Sequence, residues 1–226
     1  MDKAGHAMTC YYTGRIGMNL LRWSGVKEKK AVWFGGLTGF VYLGAIEMLD
    51  GFSSGWGFSS GDMAANTLGT ALLIGQEYAW KDQRIALKFS SHKTDFPVYR
   101  PELLGETRLQ QVLKDYNGQT YWLSVNIASF LKKETKVPAW LNLAFGYSAE
   151  GMTGGKENAV TYNASGNIID FPRYRQYYLS FDIDLTKIAG QSPFMRALTQ
   201  TFGFIKIPAP TLAFDRQGFG AYWIYM

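Results

Sequence analysis

Six residues in the first third of the chain are of types and spacings that could do chemistry. Asp2 and His6 stand four apart, Glu47 and Asp50 three apart, and Asp62 and Asn66 four apart. On helices, residues three or four apart share a face. Carboxylates grouped with one imidazole suit a divalent metal, hard or zinc-like, held by oxygen and nitrogen. They suit equally a general acid and base whose proton affinities are driven apart by crowding. They also suit a purely structural role: Asp2 and Asp62 near helix starts, where the dipole favours anions, and His6 and Asn66 tying helix ends together.

Bringing those pairs together requires three helices. The first is expected from Asp2 to Trp23, stopped by Ser24-Gly25. The second runs from Lys27 to Leu49 and the third from Gly61 to Trp80. Short connections make neighbouring helices antiparallel. The start of the first, the end of the second and the start of the third then meet at one end of a bundle. Gly35 and Gly39, four apart, and Ala65 and Gly69 provide small-residue seams for close helix contact. The stretch from Ala31 to Leu49 carries a single charge, Glu47, and its roughly 28 Å length is borderline for crossing a membrane.

After Trp80 the period changes to two. In Ile85–Ser91, Leu123–Ala128, Leu141–Tyr147 and Leu179–Leu185, large apolar residues alternate with Ser, Asn, Ala, Gly or Asp. A half-buried sheet gives this alternation, and so does a barrel wall with lipid outside and polar groups inside. Residues 104–116 read as a polar helix, 150–167 as a long loop, Ser192-Pro193 as a capped helix start closed by Gly203, and 211–226 as a hairpin turning near Gln217-Gly218. His92 is expected to be exposed. Asp182 and Asp184 fall on the small-residue face, as a second site or a solvated wall. The expected fold is α+β: an N-terminal three-helix bundle over residues 1–80, then over 81–226 an antiparallel sheet or partial barrel of five to six strands with inserted helices, the two integrated.

Composition narrows the classes. Among 226 residues, 47% are hydrophobic and 18% charged, which excludes a disordered chain. Aromatics at 16% and 25 glycines suit tight helix packing, curved sheets or a membrane interface. A lone cysteine, Cys10, excludes an internal disulfide and a cysteine-rich zinc site. The net charge of +5 is too diffuse to imply nucleic acid. No H-E-x-x-H accompanies the polar residues.

At those residues the chain resembles a known family. Asp2-Lys3-x-x-His6, Glu47-x-x-Asp50 and Ser59-x-x-Asp62-x-x-x-Asn66-x-x-Gly69 are similar to the pattern of the YfiM-like predicted periplasmic lipoproteins, a bacterial domain family of unknown function. The motifs cover roughly residues 2–80. The strand-rich remainder resembles the longer form found in Bacteroidota-type bacteria, and VanZ-like membrane proteins are a more distant likeness. The resemblance implies export to the cell envelope, with the signal upstream of Met1, and no assigned activity. Cys10 departs from a lipoprotein pattern, because it falls inside the first helix and reads as a buried small residue.

Three functions follow as expectations. One is a non-enzymatic protein of the outer membrane or its periplasmic face. Another is an accessory subunit of a larger outer-membrane complex, docking through the helical end or the last strand. The third is an enzyme acting on an envelope lipid or glycan, with Asp2, His6, Glu47, Asp50, Asp62 and Asn66 as acid and base, or His6, Glu47, Asp50 and Asp62 as ligands of a divalent metal.

Overall fold

The computed structural model describes residues 1–226 apart from 54–56, 133, 156, 159, 163–165, 189, 191 and 226. The chain divides into two compact units, Asp2–Arg84 and Ile85–Met226.

In the first unit α1 spans Asp2–Trp23. Gly25, at φ +78°, ends it: the Gly25 amide donates to the Arg22 carbonyl and the Val26 amide to Leu21, the paired bonds that satisfy a helix's last carbonyls. The second helical stretch, Glu28–Asp50, is composite: α2 (Glu28–Lys30) passes through a π-helical turn, Ala31–Gly35, before α3 (Thr38–Asp50). It is long and apolar enough to cross a membrane. Helix α4 spans Ser60–Trp80, with the Ser59 hydroxyl accepting the Asp62 amide as its cap.

Small residues set the spacing of these helices. A Cβ on Gly39 would sit 2.3 Å from the Cys10 carbonyl oxygen, and one on Gly69 2.0 Å from that of Ala7. The Gly35 and Gly39 spacing is thus a seam against α1. Cys10 is fully buried there, and burial pushes its thiol up to about 11. At the other end of α4, Glu77 accepts from Arg22 at 2.6 Å and from Gln83 at 2.7 Å, and Gln83 in turn accepts from Tyr11 at 2.9 Å.

The second unit opens with β1 (Ile85–Ser91), followed by α5 (Pro101–Leu104) and α6 (Arg108–Lys114). The polar helix or turn of helix expected over 104–116 is α6, which begins only after Gly105, at φ +106°, has ended α5. Then come β2 (Gln119–Asn126), β3 (Leu141–Glu150), the short β4 (Thr161–Tyr162) and β5 (Ile168–Ile169), β6 (Tyr174–Ile183), α7 (Pro193–Phe202), β7 (Ala209–Asp215) and β8 (Gly218–Tyr225). Helix α7 begins at the Ser192 cap, as its Ser-Pro start requires. The six long strands form one open antiparallel sheet in the order β1-β2-β3-β6-β7-β8, and β4 pairs with β5. The fold is therefore α+β, with helices first and an open sheet after. Beyond the outer edge of β1, the Phe89 amide donates to the Phe204 carbonyl and the Lys206 amide to that of Phe89, so residues 204–206 cover this edge.

The sheet is turned polar side in. Its buried face carries Ser90, Thr120, Ser124, Asn126, Asn142, Ser148, Ser180 and Asp182, closed by Trp122, Tyr178 and Tyr225 around Ala144 and Ala213. Its large apolar residues point outward: Phe145, Phe181 and Phe214 are about half exposed. The solvated-wall expectation for Asp182 is overturned, because this carboxylate is only 1% exposed. Asp184 instead caps the short turn Leu185–Lys187 by accepting the Thr186 amide.

Candidate functional site

At one end of the helical unit Asp2, His6, Glu47, Asp62 and Asn66 come together, five of the six residues expected there. The His6 Nδ1 lies 3.1 Å from the amide oxygen of Asn66, which is fully buried on α4. With that oxygen accepting, Nδ1 carries the proton and Nε2 faces two carboxylates, Glu47 Oε1 at 3.8 Å and Asp2 Oδ1 at 3.9 Å. The other oxygen of Glu47 accepts the Ser59 amide at 3.1 Å, tying the end of α3 to the start of α4. Asp62 accepts Lys3 Nζ at 3.0 Å. Burial raises the Asp62 carboxyl, but the Ser59 hydroxyl, Lys3 and His6 more than offset this and hold it below its ordinary range. The same hydrogen bond to Asp62 raises Lys3.

Ligand atoms of Asp2, His6 and Asp62 all lie within 4.8 Å of one another. Donors around one zinc-sized ion stand about 3–3.5 Å apart. Holding an ion would thus mean a contraction of roughly an ångström and the displacement of Lys3 from Asp62. Glu47, whose Oε1 lies 3.8 Å from His6 Nε2, is outside this group. Asp50, the last residue of α3, stands half-buried outside the Asp2–His6–Asp62 group. Without a metal, the arrangement holds an imidazole between an amide and two carboxylates, a place where a proton can be held or passed.

A second constellation, of which the sequence marks only Asp182, lies under the sheet. Lys88 Nζ and Asp182 Oδ2 are 2.7 Å apart, both essentially buried. The Ser124 hydroxyl donates to the same oxygen at 2.6 Å, and Asn142 donates to Ser124 at 2.8 Å. Lys206, 1% exposed, donates to the Ile207 carbonyl at 2.7 Å and lies 4.9 Å over the Trp122 ring. Burial drives its ammonium down to about 8, and Lys88 adds to this, while Asp182 opposes it. A signal for half of this was present: Lys88 alternates onto the same small-residue face as Asp182. Nothing marked Lys206, which lies between α7 and β7. His92 is exposed, as expected, with its ring 5.9 Å from Tyr225.

The outward face is ordered by register. Phe89, Tyr121, Tyr147, Tyr177, Phe214 and Phe219 pair in turn across all six strands, a continuous aromatic row. The next row on that face is Leu87, Leu123, Phe145, Leu179, Leu212 and Ala221. Ile85, Val125, Leu143 and Phe181 follow. A cleft of about 380 Å³ opens on this face, lined by Leu143, Leu179, Phe181, Leu212 and Trp223 among others.

Together these features define an α+β protein with an acid–imidazole knot at one helical end and a sheet whose apolar face is outward. Residues 1–75, nearly all of the helical unit, match the model of a family described as predicted periplasmic lipoprotein (DUF2279). The YfiM-like resemblance is thereby borne out over that stretch, and the match supports an envelope location. No curated protein and no solved structure matches the chain. The likeness to VanZ-like proteins finds no support in these comparisons.

Proposed function

We propose that the protein is a structural or accessory component of the outer membrane, seated with the apolar face of its sheet among lipid chains. The observation that carries this is the ordered outward face: an all-aromatic row along one border and mainly aliphatic rows, with Phe145 and Phe181 among them, beyond it. Aromatic belts bordering an apolar band mark the membrane interface in lipid-facing sheets. From Tyr147 to Leu141 on β3 the band runs about 20 Å along the strand, against about 30 Å for a full hydrocarbon core. That height suits immersion in one leaflet.

The edges of the sheet favour an accessory role. Residues 204–206 cover β1, whereas β8 is the other edge of the sheet and exposes Trp223 and Ile224. Unpaired backbone groups in lipid cost several kcal/mol each. A strand of a larger membrane protein laid along β8 would remove that cost by β-augmentation. The test is fractionation of envelopes after a high-salt wash without detergent. The wild type should stay with the outer membrane, and Phe145→Arg should lower its retention at least tenfold, since a cation on a lipid-facing strand costs about 2–4 kcal/mol. Release of the wild type by salt alone would sink the proposal.

The close grouping of Asp2, His6 and Asp62 supports a second reading, a metal-dependent or acid–base enzyme acting on an envelope lipid or glycan. Elemental mass spectrometry of the purified protein tests it. Stoichiometric metal lost in both His6→Ala and Asp62→Ala would establish a metal centre. A metal-free wild type, with both variants merely less stable, would leave a structural knot.

A further inference from the structure

We infer that a cavity lined by Arg173 and Arg175 holds the phosphate of an anionic phospholipid whose chains lie against the sheet, an inference that rests on the membrane-seated reading. The cavity, about 410 Å³, is lined by Ala149, Met152, Gly155, Arg173, Tyr174 and Arg175, a size that accommodates a glycerophosphate headgroup. Its position follows from register. Ala149 pairs with Arg175, one row beyond the Tyr147–Tyr177 pair on the same outward face. Two residues along a strand are about 7 Å, so Arg175 stands just past the aromatic row, on the side away from the aliphatic band. In a lipid leaflet that is the level of headgroup phosphates, immediately outside the aromatic interface.

Both guanidinium groups are positioned for such an anion. Arg173 is held at the cavity by donating to the carbonyls of Gly154 at 3.3 Å and Gly155 at 3.0 Å. Arg175 is exposed and lays its guanidinium 5.6 Å over the Tyr147 ring, which orients the fork without consuming its donors. Glu150, the carboxylate next to Ala149, pairs with Tyr174 and is already engaged, accepting from the Tyr174 hydroxyl at 2.6 Å and from Gln176 at 3.0 Å. Arginine is weakly hydrated and binds phosphate oxygens through two parallel bonds. The cavity therefore selects for a phosphate bearing net negative charge, and the apolar rows beside it select for one that carries acyl chains.

The experiment titrates the full chain, in dodecyl maltoside micelles, with dihexanoylphosphatidylglycerol, dihexanoylphosphatidylcholine and inorganic phosphate, reading binding calorimetrically. Wild type should bind the phosphatidylglycerol at least tenfold more tightly than either other probe. Arg175→Gln should weaken that binding about tenfold or more, as loss of a charged hydrogen-bonding group does, with phosphatidylcholine affinity and the thermal midpoint unchanged. Arg175→Lys should recover part of the loss. Equal affinity of wild type for the two lipids would overturn the headgroup site while leaving the seated sheet intact. Phosphate binding as tightly as phosphatidylglycerol would overturn it in favour of a soluble anion. Failure of both lipids to bind would likewise overturn the headgroup site, the seated sheet being decided by the salt-wash fractionation. The wild-type comparison decides the matter even if Arg175→Gln folds poorly.

Discussion

Asp182→Ala is expected to destabilise the sheet unit by about 3–5 kcal/mol, the usual cost of leaving a buried charge without its partner. The substitution strands the Lys88 ammonium, 3% exposed, whose carboxylate partner sits at 2.7 Å. It also removes the acceptor of the Ser124 hydroxyl, and through Ser124 loosens Asn142 and Asn126. Replacing both ions by apolar residues, as Lys88→Met with Asp182→Leu, should recover most of the loss, because no buried charge then remains. Lys206 gives the loss a pH signature. Its folded-state value near 8 lies below the ordinary 10.5, with Asp182 among the groups raising it. Between those values the unfolded chain binds more protons than the folded one, so this group's contribution to stability rises with pH. Without Asp182, Lys206 falls further. The Lys206 share of the variant's deficit is thus greatest below about pH 8, where Asp182 supports the charged form in the wild type, and smaller at pH 9. Denaturant unfolding in micelles at pH 7 and pH 9, followed by tryptophan fluorescence, checks both points. A loss under 1 kcal/mol at pH 7 would show that the pair is not buried as described.

Gly69→Ala should cost the helical unit about 3 kcal/mol or more, although alanine is the better helix former. The added Cβ would stand 2.0 Å from the Ala7 carbonyl oxygen and within 3 Å of the Ala7 carbonyl carbon and Cα. All three are backbone atoms, so no side chain can rotate away and the helices must part. Overpacking of this kind costs 1–3 kcal/mol and more where nothing yields. Separation would propagate along the seam, where Gly39 meets Cys10 just as closely, and toward His6 and Asn66, each beside one member of the contact. Gly75→Ala on the same helix is the control. Nothing lies within 4 Å of its added Cβ, and helix propensity predicts a gain of up to about 1 kcal/mol. Thermal melting followed at 222 nm should separate the two variants in opposite directions. Similar midpoints would mean that the α1–α4 contact is looser than it stands.

Local rules placed the helices well. Gly25 is a stop signal that acts through bonds to its own neighbours, so the end of α1 was legible, and α4 begins one residue before the expected Gly61; its cap, though, is Ser59 and not the Asp62 that the sequence suggested. The convergence of Asp2, His6, Glu47, Asp62 and Asn66 followed from antiparallel packing of short-linked helices. What stayed hidden depended on distant partners. The Arg22–Glu77 tie joins residues 55 positions apart and has no short motif. The π turn at Ala31–Gly35 has no spacing of its own in the sequence. Above all, alternation in Leu141–Tyr147 is identical whether Phe145 or Ala144 faces the core. Only the closing of Trp122, Tyr178 and Tyr225 over the small residues decides it, and with it the fate of Asp182. The loop expected at 150–167 begins a residue late, since β3 continues through Glu150, and it includes short β4.

Tyr225 has one further consequence, for the order in which the chain becomes structured. Its ring packs against Trp122 and Tyr178, and its hydroxyl meets Thr120, 105 positions earlier. The cover on the β1 edge likewise arrives only with residues 204–206. Such contacts carry a high loop-closure cost that must be met before they contribute anything. The core of this unit is thus completed by a ring from β8, the last strand of the sheet in chain order. Folding of the sheet is expected to be cooperative, and removing β8 would remove the ring that closes the core.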